Sequence, residues 1–301
     1  MGQTGFINCN GANLYYEIAG AGETIVFLHG APLDSRMWES QMKTLSSNYQ
    51  VVRCDMRGMG QSHDPGTPFT LYDDIHALLK QLQISRASFV GASFGSYVGI
   101  EFALAHPEMV ESLVLICPGG FAPPSQDRLL GFQKFQEQMD KGNLDEALEI
   151  NLHHYLDGPD QERGRVQLNR QWLKDIYRDI FQQSRTMTTP KGLEPDPRSR
   201  LEDVSVPTLV ISGELDYPDF LQAAESIVSK VSDAQQLFCK NSAHFPSIDS
   251  PDEVNEMITS FLNKTVHCAV ELAFHCGERL LSVRSLFISV SLAILFSAKK
   301  R

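Results

Sequence analysis

Apolar residues along this chain repeat at two alternating periods. FINCNGANLYYEIAG sets short apolar runs on either side of Asn10-Gly11, a pair that favours a tight hairpin turn because both residues tolerate positive φ. TIVFLHG, from Thr24 to Gly30, reads as a compact buried strand, and DSRMWESQMKTLSS spaces Met37, Trp38, Met42 and Leu45 along one helical face. YQVVRCD returns to a strand. TLYDDIHALLKQLQI then places Leu71, Ile75, Leu78, Leu79 and Leu82 at helical spacing; ASFVG is a strand, SFGSYVGIEFALAHP a helix stopped by Pro107, and VESLVLIC another strand.

Strand and helix alternating over residues 24–117, with several strands apolar throughout, predict an α/β fold: a mostly parallel central sheet covered by helices on both faces. From about 121 to 200 the alternation lapses. LLGFQKFQEQMDKGNLDEALEINLHHYL and RVQLNRQWLKDIYRDIFQQSR are helical and charged, so this stretch is expected to be a helical cap lying over the strand ends, where ligands bind in such sheets. The aromatic residues of the insertion, Phe121, Phe132, Phe135, Tyr155, Trp172, Tyr177 and Phe181, are read mostly as its core, with a pocket lining as the other reading. VPTLVISG, FLQAAESIVSKV, AQQLFCKN and PDEVNEMITSFLNK resume the pattern. The expected organisation is a core of 1–120 and 201–264, a cap of 121–200, and an atypical tail from 265 to 301.

That tail carries Arg279, Arg284, Lys299, Lys300 and Arg301 against Glu271 and Glu278, a basic stretch on an acidic body. Its apolar run, LFISVSLAILFSA, is shorter than the about 20 residues that an unaided membrane span needs. The tail is read as an apolar helix dispensable for chemistry; membrane contact, a dimer contact and sequence beyond the domain's natural end are its three readings. With 301 residues, 42% of them hydrophobic, the chain can bury a large core. A formal charge of -11 offers no basic stripe for phosphates and excludes nucleic acid as an expected partner. Cys9, Cys54, Cys117, Cys239, Cys268 and Cys276 are scattered without C-x-x-C spacing and read as reduced thiols. MGQTGFINCNG shows neither the basic nor the apolar region of a secretory leader, so a cytoplasmic enzyme is expected. His267, Cys268, His275 and Cys276 repeat at eight residues, whereas zinc ligands come in closer pairs with a turn between; no metal is expected there.

Chemistry enters at VGASFGS. Gly91, Ala92, Ser93, Phe94 and Gly95 fit G-x-S-x-G, a pattern common by chance and informative only on a strand-to-helix turn. The flanking periods place Ser93 on such a turn. A serine hydroxyl is a weak nucleophile until a base takes its proton, so a histidine held by a carboxylate is needed. His29, His63, His76, His106, His153 and His154 fall on early loops, helices or the insertion, whereas His244, in NSAHFP, lies between the last strand and the last helix. For the acid, the loop after VPTLVISG offers Glu214, Asp216 and Asp219. Asp216 is preferred because it stands far enough past the strand end to turn back over the sheet.

FLHGAP at 27–32, DMRGMGQS at 55–62, the serine elbow, the insertion, SGELD and AHF follow in an order that resembles an α/β-hydrolase over residues 5–264. The resemblance implies a Ser93-His244-Asp216 triad, an oxyanion hole from the backbone N–H groups of Ala31 and Phe94, and no cofactor. Asp55, Arg57 and Ser62 would shape the backbone without reacting. The expected activity is hydrolysis of a small carboxylic ester or lactone. Ser93 counts against the epoxide hydrolase and haloalkane dehalogenase relatives, which use aspartate. Carbon–carbon bond hydrolases and cofactor-free perhydrolases keep the serine, and Pro32 after Ala31 resembles the oxyanion loop of some perhydrolases. A non-enzymatic binder on the same fold has no need of all three residues.

Overall fold

A computed structural model describes residues 2–183 and 188–275, the last ten of these by backbone alone. The run LFISVSLAILFSA, the basic end of the tail and Cys276 lie outside the described residues, and so do the side chains of His267, Cys268 and His275. The chain divides into one unit, Met1–Phe261, and a second, Leu262–Arg301.

The first unit contains an eight-stranded sheet in the order β1-β2-β4-β3-β5-β6-β7-β8. β1 (Gln3–Cys9) and β2 (Ala12–Ala19) form an antiparallel hairpin. Asn10 and Gly11 turn it with φ of 49° and 87°, the two positive values that match a hairpin's twist. β2 also runs antiparallel to β4 (Gln50–Cys54), and every pairing from β4 onward is parallel: β3 (Thr24–Leu28), β5 (Ala87–Ala92), β6 (Val110–Ile116), β7 (Thr208–Gly213) and β8 (Ala234–Cys239). β5 and β7 are buried at every residue, as strands covered on both faces must be. β8 departs from that pattern. It is the sheet's edge, and Leu237 and Phe238 are exposed.

Helices α1 (Glu39–Leu45), α2 (Leu71–Gln81) and α3 (Phe94–Ala105) connect the first parallel strands, and α7 (Pro218–Lys230) connects β7 to β8. The segment read as one helix from Asp34 begins as a 3-10 turn, Ser35–Trp38, capped by the Asp34 carboxylate. α2 starts under a threonine cap, with Thr70 accepting from Asp73 N–H. Between β6 and β7 lie α4 (Gln126–Asp140), α5 (Leu144–Leu152), which runs on into a π-turn at His153–Asp157, and α6 (Arg170–Gln182). Asp157, fully buried, holds the loop after that turn: it accepts from Gly164 N–H at 2.7 Å and Val166 N–H at 2.8 Å and pairs with Arg170 at 2.9 Å. A short α8 (Pro246–Asp249) precedes α9 (Pro251–His275). The last helix, expected over 251–264, thus continues for further turns because no glycine or proline interrupts it before Gly277. Among the described residues, no helix is long and apolar enough to cross a membrane.

Candidate active site

β5 ends at Ala92 and α3 begins at Phe94, so one residue, Ser93, makes the whole turn. It does so at φ 50°, ψ −111°, a conformation that costs an L-residue of order 1–3 kcal/mol and persists only where its surroundings enforce it. Ser93 N–H donates to Ile116 O at 2.8 Å, and Ser93 O accepts from Gly119 N–H at 3.2 Å, tying the turn to the end of β6. The flanking glycines are required by space. A Cβ on Gly91 would lie 2.4 Å from Gly95 O, and one on Gly95 would lie 2.1 Å from Leu28 O. Ser96, the other serine of the stretch, is fully buried and donates to Gly91 O at 2.8 Å; it packs the helix against the strand.

The loops after β7 and β8 meet beside this turn. Gly213 lets them close, since a Cβ there would stand 1.9 Å from Ala243 O. The approach brings His244 Nδ1 to 2.7 Å from Asp216 Oδ2 with both residues buried. The other carboxylate oxygen accepts from Tyr217 N–H at 2.8 Å. The two neighbouring carboxylates are engaged elsewhere or solvent-facing: Glu214 is exposed, and Asp219 pairs with Arg128 at 2.8 Å and accepts from Ser125 N–H at 3.0 Å. Cys117, at the end of β6 with φ 44°, packs behind the pair. Its Sγ is grouped with Asp216 and His244 within 4.8 Å, and burial, then the Asp216 charge, pushes the thiol well above its ordinary value. The thiol therefore stays protonated, donating to Ala243 O at 3.6 Å and accepting from Gly213 N–H at 3.4 Å.

His29 holds the third loop. Met56 N–H donates to its Nε2 at 3.0 Å, which leaves Nδ1 carrying the proton toward Gly30 O at 3.1 Å. DMRGMGQS supports that loop from below. Asp55 accepts from Ser35 N–H at 2.8 Å and Gln61 N–H at 2.7 Å, and Arg57, almost fully buried, pairs with Asp74 at 2.7 Å. These side chains are spent on backbone and on each other.

Ala31, Pro32, Ser93, Phe94 and His244 share the wall of a cavity of about 710 Å³. The rest of its lining comes mainly from the insertion. Phe132, Phe135, Tyr155, Tyr177 and Phe181 all face it, while Phe121 packs on Tyr97 and Trp172 is not part of the lining. This corrects the expectation that most of these rings are core: helical periodicity marks an apolar face but not whether that face meets another helix or a void. Tyr155 binds the insertion to the site, because its carbonyl accepts from His244 N–H at 3.0 Å. Phe220 packs on the imidazole at a tilt of 37°, with ring centroids 4.0 Å apart. Reasoning from sequence passed over Arg128, His154 and Tyr217, which also line the cavity. A signal existed for the first: Arg128, Gly131, Phe132 and Phe135 fall at i, i+3, i+4 and i+7, so a cation sits on the apolar face of α4.

The histidine loop carries a titratable support. Ser242 Oγ donates to Asp249 Oδ1 at 2.6 Å, and burial pushes that carboxyl up to about 6. A carboxyl raised in the folded state contributes stability that is complete below its ordinary value of 3.8 and is lost as pH rises through about 6. Asp249→Asn is accordingly expected to raise stability at about pH 7.5 by about 1–2 kcal/mol, with the gain vanishing near pH 4. Urea midpoints at the two pH values check this, and an equal shift at both would refute it.

The chain matches known proteins over most of its length. A family model described as alpha/beta hydrolase fold matches residues 23–251. A pimeloyl-[acyl-carrier protein] methyl ester esterase of Pectobacterium carotovorum is 26% identical over 263 residues, covering 83% of this chain and 98% of that protein. A 2-hydroxy-6-oxo-6-(2'-aminophenyl)hexa-2,4-dienoic acid hydrolase of Metapseudomonas resinovorans is 23% identical over 278 residues, covering 86% and 90%. The solved structure of an esterase from Exiguobacterium antarcticum superposes with a TM-score of 0.71 at 21% identity, covering 86% of this chain and 98% of that one. With its parallel sheet, its serine turn between β5 and α3 and a family match across more than half its length, the chain belongs to the α/β-hydrolase fold family and is a hydrolase.

Proposed function

We propose that the protein is a serine hydrolase that cleaves a small carboxylic ester or lactone through an acyl-enzyme. The observation that carries this is the buried Nδ1–Oδ2 contact of 2.7 Å between His244 and Asp216, on a cavity wall shared with a serine held at φ 50°. Asp216 takes the Nδ1 proton of His244 as a hydrogen bond, which fixes the tautomer and leaves Nε2 as the base. Ser93 attacks the carbonyl carbon as Nε2 removes its proton, and the same nitrogen returns that proton to the leaving alcohol. Phe94 is the first residue of α3, so its N–H has no acceptor within the helix and sits at the positive end of the helix dipole. With the N–H of Ala31 it would hold the oxyanion; losing one such donor typically costs about 100- to 1,000-fold in rate. Water then releases the acid. The chemistry proposed uses no metal or cofactor.

The buried thiols Cys9, Cys54, Cys117 and Cys239 are free and suit a reducing, cytoplasmic compartment. A carbon–carbon bond hydrolase or perhydrolase would use the same residues; Pro32 on the cavity wall beside Ala31 and the dienoic acid hydrolase among the relatives favour keeping that second reading. A panel of p-nitrophenyl esters and lactones, vinylogous diketones and a peracid assay separates them. Ester or lactone turnover well above the other two supports the proposal. A fluorophosphonate that fails to label folded protein sinks both readings.

A further inference from the structure

Away from Ser93, the polar side chains on the cavity wall include two donor groups carried by the insertion, Arg128 and His154. Arg128 projects from the cavity-facing stripe of α4; its guanidinium carbon stands 4.8 Å above the Phe220 ring, which also packs on the His244 ring at 4.0 Å. Arg128 thus lies one phenyl ring from the imidazole. Asp219 Oδ2 stands 2.8 Å from its Nε as an ion pair, and the Tyr155 hydroxyl interacts with the same guanidinium. A guanidinium has five N–H donors, so donors remain after both partners. Asp219 itself is not part of the lining, and neither is any other Asp or Glu among the described residues.

His154 adds a second donor. Its Nδ1 is 2.5 Å from Tyr217 Oη. Tyr217 is almost fully buried, and its phenol proton needs an acceptor, so Nδ1 accepts it and the ring presents Nε2–H. Burial pulls this imidazole down to about 4, which keeps it neutral at ordinary pH. Gly131 keeps the space before it open, since a Cβ there would lie 3.0 Å from His154 Nε2 and 2.8 Å from Tyr217 Oη. Donors facing a largely apolar cavity that holds no carboxylate are costly when unpaired; a ligand that brings an acceptor removes that cost.

We propose that Arg128 and His154 Nε2–H form an anion subsite, and that the preferred substrates are esters or lactones carrying a carboxylate a short chain away from the reacting carbonyl. The inference rests on the ester-hydrolase reading above for its reaction. One guanidinium paired with Asp219, beside a neutral imidazole, suits a monoanion better than a phosphate dianion.

Monoethyl adipate and ethyl hexanoate differ at the chain end, carboxylate against methyl. Wild-type kcat/KM is expected to favour the anion by at least about tenfold, and Arg128→Gln to reduce that ratio by about 10- to 100-fold, chiefly through KM. Gly131→Ala, which keeps the Arg128–Asp219 pair but fills the space before His154, should reduce the ratio as well, while Arg128→Lys keeps the larger part of it. Fluorophosphonate labelling verifies that each variant is folded around its serine. A wild-type preference for the neutral ester, or a ratio unchanged in Arg128→Gln, overturns the subsite. Titrating both esters into Ser93→Ala protein reads the subsite without turnover: the carboxylate ester binding more tightly supports it even if the hydrolase reading fails, and equal binding refutes it.

Discussion

Ser93→Ala is expected to lower kcat/KM for p-nitrophenyl esters by at least about 10⁴-fold and to abolish fluorophosphonate labelling, with the fold unchanged. In the proposed reaction this hydroxyl forms the acyl bond, and the nearby Ser96 and Cys117 are poorly placed to replace it: Ser96 is buried and committed to Gly91 O, and the Cys117 thiol is committed to Ala243 and Gly213 behind the imidazole. Asp216→Asn should cost about 10⁴-fold for a different reason. An amide in place of the carboxylate donates to Nδ1, and the imidazole then carries its proton on Nε2, where a base is required. If the three residues act as the proposed unit, Ser93→Ala combined with His244→Ala should be scarcely slower than Ser93→Ala alone. Progress curves at high enzyme concentration measure these residual rates. A Ser93→Ala protein within tenfold of wild type would remove the serine from the mechanism.

The second large effect concerns the glycines around that serine. Gly95→Ala is expected to destabilise the protein by more than about 3 kcal/mol, above the usual overpacking range of 1–3 kcal/mol. The new Cβ would meet backbone alone, at 2.1 Å from Leu28 O, 2.6 Å from Leu28 C and 2.7 Å from His29 O, and backbone in β3 cannot turn aside as a side chain can. Gly99, one helical turn further along α3, supplies the control. Its nearest neighbours would be Leu28 Cδ1 at 3.8 Å and Leu113 Cδ2 at 4.0 Å, ordinary contacts. Gly99→Ala should therefore be neutral or stabilising by up to about 1 kcal/mol, the helix-propensity difference between the two residues. Chemical denaturation of both variants tests the pair. Equal destabilisation would mean that the tight approach of α3 to β3 is not what the motif's second glycine serves.

Much of this molecule follows from local rules that a sequence displays. The β-branched runs TIVFL and TLVISG have no polar face and can only be strands covered on both sides. Asn10-Gly11 turns a hairpin because both residues tolerate positive φ, and the serine turn lies where period two gives way to period 3.6. Those are properties of neighbouring residues, so one dimension suffices to read them. The order serine, carboxylate, histidine is likewise visible along the chain.

What only the tertiary structure decided depends on residues far apart in sequence. Glu214, Asp216 and Asp219 lie within six residues of one another and share similar chemistry; Asp216 meets His244 because the loops after β7 and β8 close over Gly213, while Asp219, in the first turn of α7, is drawn to Arg128 on α4. The insertion's rings line a cavity where its periodicity suggested a core, because a helix's apolar stripe is the same whether protein or empty space faces it. Arg128 and His154 gain meaning from that void: among apolar neighbours a charge or an N–H must find an acceptor, and which one it finds is set by the fold and the ligand.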